Sequence, residues 1–223
     1  MIKKCTLFCI SILTMSLSTF VSAGEKGKWQ PLFTSDLSNA VYDNNVWTLK
    51  DGVLTAAEDQ SIWSDKEYEN FILELEFKNE HETNSGVVVY CTNREDWIPN
   101  SVEIQIADDY CEKWATSALN WQCGAIFGHL AANKQKVVKK PGEWNTFSIT
   151  CKGKLITIVL NGKKVTHMDM SKWTSGTVNP DGSKIPEWIP KPFAELPTKG
   201  YIGLQGKHGN ATVWFRNIRI KAL

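Results

Sequence analysis

Phe71-Ile72-Leu73-Glu74-Leu75-Glu76-Phe77-Lys78 sets the rhythm from which the fold is read. Side chains of an extended chain point to opposite faces in turn, so Phe71, Leu73, Leu75 and Phe77 share one face, and Ile72, Glu74, Glu76 and Lys78 share the other. The stretch therefore predicts a half-buried strand. The same period of two returns in 86–91, 102–107, 146–151, 155–160, 201–205 and 212–220, with turn residues between. Lys50-Asp51-Gly52-Val53 and Leu160-Asn161-Gly162-Lys163 add Asp-Gly and Asn-Gly steps, whose central residues tolerate positive φ, and each predicts a tight hairpin. No run of twelve or more residues keeps a period of 3.6, although 110–121 could hold a helical turn inside an insertion. The pattern is that of an all-β protein, an antiparallel two-sheet sandwich with little helix. Residues 177–198 carry Pro180, Pro186, Pro190, Pro192 and Pro197 around Trp188 and Phe193. They read as an ordered but irregular excursion, a lid or rim over one face, and not as a linker between domains.

Composition narrows the function. The 223 residues carry 25 Lys+Arg against 24 Asp+Glu, a formal charge of +1, which leaves no basic excess to neutralise a nucleic-acid backbone. The balance of 42% hydrophobic and 22% charged residues excludes a disordered chain. Ten Trp is unusual, and rings placed beside Gly, Asn or charged residues either close a β-rich core or stack on sugars.

Met1-Ile2-Lys3-Lys4, the mostly apolar Leu7 to Val21 and the small residues of Val21-Ser22-Ala23 predict a secretory signal peptide over 1–23, leaving 24–223 as a single domain. Cys5 and Cys9 lack the neighbours that lipoprotein processing prefers, so the expectation is an exported protein, periplasmic or extracellular and not anchored in a membrane. No later segment has the length to span a bilayer. Cys91, Cys111, Cys123 and Cys151 remain, enough for two bridges in an oxidising compartment. Cys111 with Cys123 is the pair to test first, while Cys91 and Cys151 suit buried thiols. No CxxC or HxxxH spacing accompanies them.

In Val102-Glu103-Ile104-Gln105-Ile106, alternation sends Glu103 and Gln105 to the face opposite the three aliphatic residues, about 7 Å apart along the strand. Gln205 and His208 surround Gly206 near Gly209, a turn that lets an imidazole approach a ligand, and imidazole changes charge near neutral pH. His81, His129 and His167 read as structural or solvated. Asn84 before Ser85-Gly86 suits either turn chemistry or an amide that orients a sugar hydroxyl. Asp108 ends the Glu103 strand, as a site residue or as a cap. Arg216 suits a structural salt bridge as well as a substrate contact. Trp97, Trp114, Trp121 and Trp188 fall in loops, where rings stack on sugar or pack the rim.

Several segments combine into a family pattern: Trp29-Gln30-Pro31-Leu32-Phe33, Asp51-Gly52-Val53-Leu54, Tyr68-Glu69-Asn70-Phe71, Asn84-Ser85-Gly86-Val87, Glu103-Ile104-Gln105-Ile106, Gly142-Glu143-Trp144-Asn145, Gly203-Leu204-Gln205-Gly206-Lys207-His208-Gly209 and Phe215-Arg216-Asn217-Ile218. Their order and spacing resemble the 3-keto-disaccharide hydrolase family, a group of concanavalin-like jelly rolls found in secreted proteins of Bacteroides-type bacteria. The family carries an Arg shortly after Asn-Ser-Gly; here the strand reads Val88-Val89-Tyr90-Cys91 and the nearest Arg is Arg94.

The resemblance implies cleavage of 3-keto-glycosides. A ketone at carbon 3 acidifies the proton on carbon 2, a base removes it, the enolate expels the glycosidic oxygen from carbon 1, and water adds later. Residues and resemblance together assign Glu103 as base and His208 as acid or enolate partner, with Gln105, Asn84, Arg94, Asp108, Gln205 and Trp188 as substrate-binding residues. No cofactor is required, although a divalent cation could stabilise the enolate in place of hydrogen-bond donors. The expected partner is a carbohydrate, with no nucleic acid, membrane or obligate protein partner. Two readings compete. One is a non-catalytic carbohydrate-binding module, which the same fold hosts. The other is a conventional glycosidase with two carboxylates astride the bond, against which Gln105 stands where an acid is needed.

Overall fold

The computed structural model describes residues 27–223, so the predicted signal peptide lies outside the described residues. Thirteen strands follow in chain order: β1 (Trp29–Pro31), β2 (Ala40–Val41), β3 (Trp47–Lys50), β4 (Val53–Ala56), β5 (Ile62–Tyr68), β6 (Phe71–Asn79), β7 (Asn84–Cys91), β8 (Val102–Ala107), β9 (Trp144–Lys152), β10 (Leu155–Leu160), β11 (Lys163–Asp169), β12 (Gly200–Leu204) and β13 (Val213–Ala222). They form two antiparallel sheets. The larger runs β11-β10-β9-β6-β13-β4-β3, with β1 also paired to β13, and the smaller runs β2-β5-β12-β7-β8.

The alternation read from the sequence places the core. Phe71, Leu73, Leu75 and Phe77 are all buried and meet Phe147 and Ile149 of β9 and Phe215 of β13 on the inner face of the larger sheet. Val87, Val89, Ile104, Ile106 and Leu204 face them from the smaller sheet. Burying these side chains between two sheets is the main stabilising term of such a sandwich. Both predicted hairpins form, with φ of 52° at Asp51 and 49° at Asn161, the left-handed conformation that Asp and Asn tolerate best among non-glycine residues. Among the described residues helix is confined to one turn, α1 (Glu112–Ala115), and three short 3₁₀ turns. Residues 177–198 hold no strand or helix, only an isolated bridge between Val178 and Lys184.

Two features depart from simple alternation. Tyr90 takes φ 58°, which puts Val89 and Tyr90 both on the core side and turns Cys91 outward to pack with Trp63 and Val88. In β5, Ile62 enters the main core while Trp63 is buried on the other face beneath Trp97 and Tyr201, so the strand shows no alternation of polarity to read. The expected Cys111–Cys123 bridge is absent: all four described cysteines are free and buried. Cys111 instead packs with Ala107 and Trp114 in a satellite cluster, and Cys123 lies in the main core.

Asn161 ties the β10–β11 turn to the sheet. Its side chain accepts from the Thr146 amide at 3.0 Å and donates to Val137 O and Asn145 Oδ1, both at 2.8 Å. Asn161→Ala loses these bonds and strains the positive φ, and urea unfolding is expected to show a loss of about 2–3 kcal/mol. Asn161→Gly, which keeps the backbone conformation, should recover only part of it.

Candidate active site

The inward set of β8 is Val102, Ile104 and Ile106, so Glu103 and Gln105 emerge on the outer face of the smaller sheet, as the alternation requires. On the neighbouring strand Gly86 pairs with Gln105 and Val88 with Glu103. A methyl group at Gly86 would sit 2.3 Å from Glu103 Oε1, so the carboxyl occupies the space above that glycine. The Asn84-Ser85-Gly86 motif thus makes room for Glu103, and Asn84 Oδ1 accepts from Gln105 Nε2 at 3.0 Å.

Beside Glu103 opens a cleft of about 370 Å³, lined among others by Asp59, Trp63, Arg94, Trp97, Gln205 and His208. Trp63 meets Trp97 edge-on at 6.2 Å, and the Arg94 guanidinium lies 4.3 Å over the Tyr201 ring. The 57–61 segment and the turn after β12 meet at Gly206, where a Cβ would stand 2.4 Å from Glu58 O and 2.5 Å from Gln60 O. That close approach brings Asp59 Oδ2 to 2.5 Å from His208 Nδ1. An ionised carboxylate only accepts, so Nδ1 carries the hydrogen, and in the neutral tautomer that this selects Nε2 is the acceptor.

Electrostatics separate the acidic groups. Glu103 has no cationic partner among the described residues; burial, with the charge of Asp59 adding to it, pushes its carboxyl up to about 8. Near neutral pH it is a carboxylic acid. The amide oxygens of Gln105 and Gln205 are buried without a hydrogen-bond partner, next to that acid, and such orphaned acceptors are what ligand hydroxyls satisfy.

A larger hollow of about 940 Å³ lies over the other sheet, and its electrostatics are unlike those of the cleft. Glu76 binds Arg216 and Asn217 there, and Glu74 binds Arg219. Burial alone would raise the Glu76 carboxyl, but the bonds from Asn217 and Arg216 and the Arg216 charge outweigh it and hold it below the usual range. Both carboxylates of this hollow are thus paired with arginine.

Of the expected site residues, Glu103, Gln105, Asn84, Gln205, His208 and Arg94 come together on one face. Asp108 does not join them: it is buried and accepts from the Glu82 and Tyr110 amides at 3.1 Å each, with His81 at 3.4 Å, and so caps the turn after β8. Trp188 stands outside the residues that line the cleft, edge-on to Trp121 at 6.2 Å. His129 is buried against Phe193, and burial lowers its imidazole to about 4, a packing role. Asp59 was missed, because it sits in an irregular segment with no periodic or turn signal. Among the described residues no three His, Cys, Asp or Glu side chains gather as a metal-holding group.

A desolvated acid, a His–Asp pair and unpartnered amides thus share one outer face of an all-β sandwich. The 3-keto-alpha-glucoside-1,2-lyase-like domain model matches residues 28–221, and the chain belongs to that family. A putative glycosyl hydrolase from Parabacteroides distasonis is 66% identical over 88% of this chain and 100% of its own, with a TM-score of 0.87. A second putative glycosyl hydrolase from that species is 23% identical over 87% and 94% of the two chains, TM-score 0.66. The carbohydrate binding module CBM66 from Bacillus subtilis shares the fold at 12% identity, over 85% of this chain and 99% of its own, with a TM-score of 0.53. No curated protein matches the chain.

The raised carboxyl has a stability signature. A Glu whose folded value lies near 8 against an ordinary 4.5 binds its proton more tightly in the native state, so native stability declines as pH rises between those values and stays lower above them. Glu103→Gln removes the titration. Its Tm should exceed that of the wild type at pH 9 and match it near pH 5, as read by thermal melts at both values.

Proposed function

We propose that this protein cleaves 3-keto-glycosides by elimination, and that the carrying observation is the His208–Asp59 pair set beside an uncharged Glu103. The roles are the reverse of those expected from the sequence. His208 Nε2, with its lone pair free, takes the proton from carbon 2, while Asp59 holds the tautomer and stabilises the imidazolium that forms. The electron pair moves onto the carbon 3 oxygen, and the Arg94 guanidinium at the cleft wall is placed to stabilise the enolate. As the carbonyl re-forms, carbon 1 and carbon 2 become doubly bonded and the glycosidic bond breaks. Glu103, a carboxylic acid at neutral pH, protonates the departing oxygen. Water then adds across the double bond. The free oxygens of Gln105 and Gln205 accept from sugar hydroxyls. Among the described residues no three His, Cys, Asp or Glu side chains gather as a metal-holding group at the cleft, and each step is assigned to side chains of the protein.

The deciding experiment is mass-spectrometric detection of sugar release from a 3-keto-glucoside and, separately, from its unoxidised parent. Release from the keto compound alone is the expected result. Release from both would return the protein to conventional glycosidase chemistry, and release from neither, with glycan binding retained, to a binding module. His208→Ala and Asp59→Asn are each expected to lower kcat by about 10²–10⁴-fold. EDTA should leave turnover unchanged.

Gly86→Ala tests the space above that residue. The added methyl displaces the Glu103 carboxyl, and a misplacement of about 1 Å is expected to cost up to roughly 10²-fold in kcat/KM while circular dichroism stays that of the wild type.

A further inference from the structure

Resting on the elimination reading above, we propose that the leaving-group side of this site is an aromatic shelf formed by Phe127, Trp121 and Trp188, and that the preferred substrates carry an aromatic or otherwise apolar aglycone. The shelf begins at the acid itself. Residues 124–127 continue the smaller sheet past β8: Gln105 N donates to Ala125 O, Phe127 N donates to Glu103 O, and Ile104 bridges antiparallel to Ile126. Ile104 and Ile126 are both in the core, so the positions beside them, Glu103 and Phe127, share the outer face. Directly opposed residues of antiparallel neighbours have Cβ atoms about 5 Å apart. Phe127 therefore flanks the base of the Glu103 side chain, on the side of β8 away from β7, Asp59 and His208, while the carboxyl itself leans over Gly86.

From Phe127 the rings run outward without a break. Trp121 packs on Phe127 with centroids 5.2 Å apart, and Trp188 meets Trp121 edge-on at 6.2 Å. Trp188 is 53% exposed and Leu119, in the same short turn as Trp121, is 51% exposed, a large apolar surface for residues at the margin of a polar cleft. The excursion that carries Trp188 is held in place: Pro186 and Ile189 pack against Gly128, and Asn179 Nδ2 donates to Gly128 O at 3.1 Å.

The two flanks of Glu103 thus differ in kind. Toward β7, β12 and the 57–61 segment lie amides, the His–Asp pair and Arg94, groups that read hydroxyls and a ketone. Toward 124–127 lie rings that offer stacking surface and little hydrogen bonding. The bond to be broken must lie at Glu103, since this acid protonates the departing oxygen. The polar flank then holds the keto sugar and the aromatic flank holds what leaves.

The test compares kcat/KM for the 3-keto derivatives of phenyl glucoside and of a glucose disaccharide, each measured with wild type, Trp188→Ala and Trp188→Phe. Each substrate keeps its own leaving group across the variants, so intrinsic leaving ability cancels. The phenyl-to-disaccharide ratio should fall about five- to tenfold in Trp188→Ala, mostly through KM, and recover in Trp188→Phe. An unchanged ratio overturns the proposal, because the shelf would then serve packing alone or any leaving group alike. Should wild type cleave neither substrate, the elimination reading fails by itself, and calorimetry with phenyl and methyl glucosides still reads the shelf. Tighter binding of the phenyl compound that is lost in Trp188→Ala sustains it; equal affinities, or no binding of either, overturn it.

Discussion

The register of β8 between β7 and residues 124–127 is the constraint on which the site depends. Val102, Ile104 and Ile106 enter the core between the sheets, and this alone fixes Glu103, Gln105 and Ala107 on the outer face. A slip of one residue would drive a carboxyl and an amide into the sandwich and expose three aliphatic side chains, a cost no local hydrogen bond could offset. Hydrophobic burial on one side of the strand thus determines the chemistry on the other. The neighbours follow from the same register: Gly86 leaves space beside Glu103, Asn84 meets Gln105, and Phe127 stands opposite the acid.

Much of this was legible in the sequence because it rests on a period of two. The β6 strand, the β8 strand and the two positive-φ hairpins follow from alternation and turn chemistry, and Glu103 and Gln105 fall on a shared face for that reason. What was not legible depends on contacts between distant segments. Asp59 gains meaning only because Gly206 lets two loops meet. β5 escaped notice because a strand with Ile62 in the core and Trp63 buried on the opposite face carries no alternation of polarity. Asp108, which the family resemblance favours as a site residue, instead accepts from the amides of Glu82 in the β6–β7 turn and of Tyr110 in its own turn. Nor does spacing reveal how a carboxyl titrates: burial, with the charge of Asp59 adding to it, is what raises that of Glu103.

The two hollows show how little size says about chemistry. The larger one is floored by Glu74 and Glu76, each held by an arginine, and such pairs present a neutral, satisfied surface. The smaller cleft keeps its polar groups in tension: an acid without a counter-charge, an imidazole with one nitrogen committed, and amide oxygens without donors. Unsatisfied groups of this kind destabilise the resting protein and are retained where a ligand completes them.

The four thiols bear on how the native state is reached. Cys91, Cys111, Cys123 and Cys151 are buried singly, and burial pushes each thiol above its ordinary value, Cys91 to about 11. Thiolate, the species that attacks disulfides and oxidants, is scarce in all of them once the sandwich has closed. No disulfide joins the described residues, so the described domain needs neither an oxidant nor a disulfide isomerase to mature.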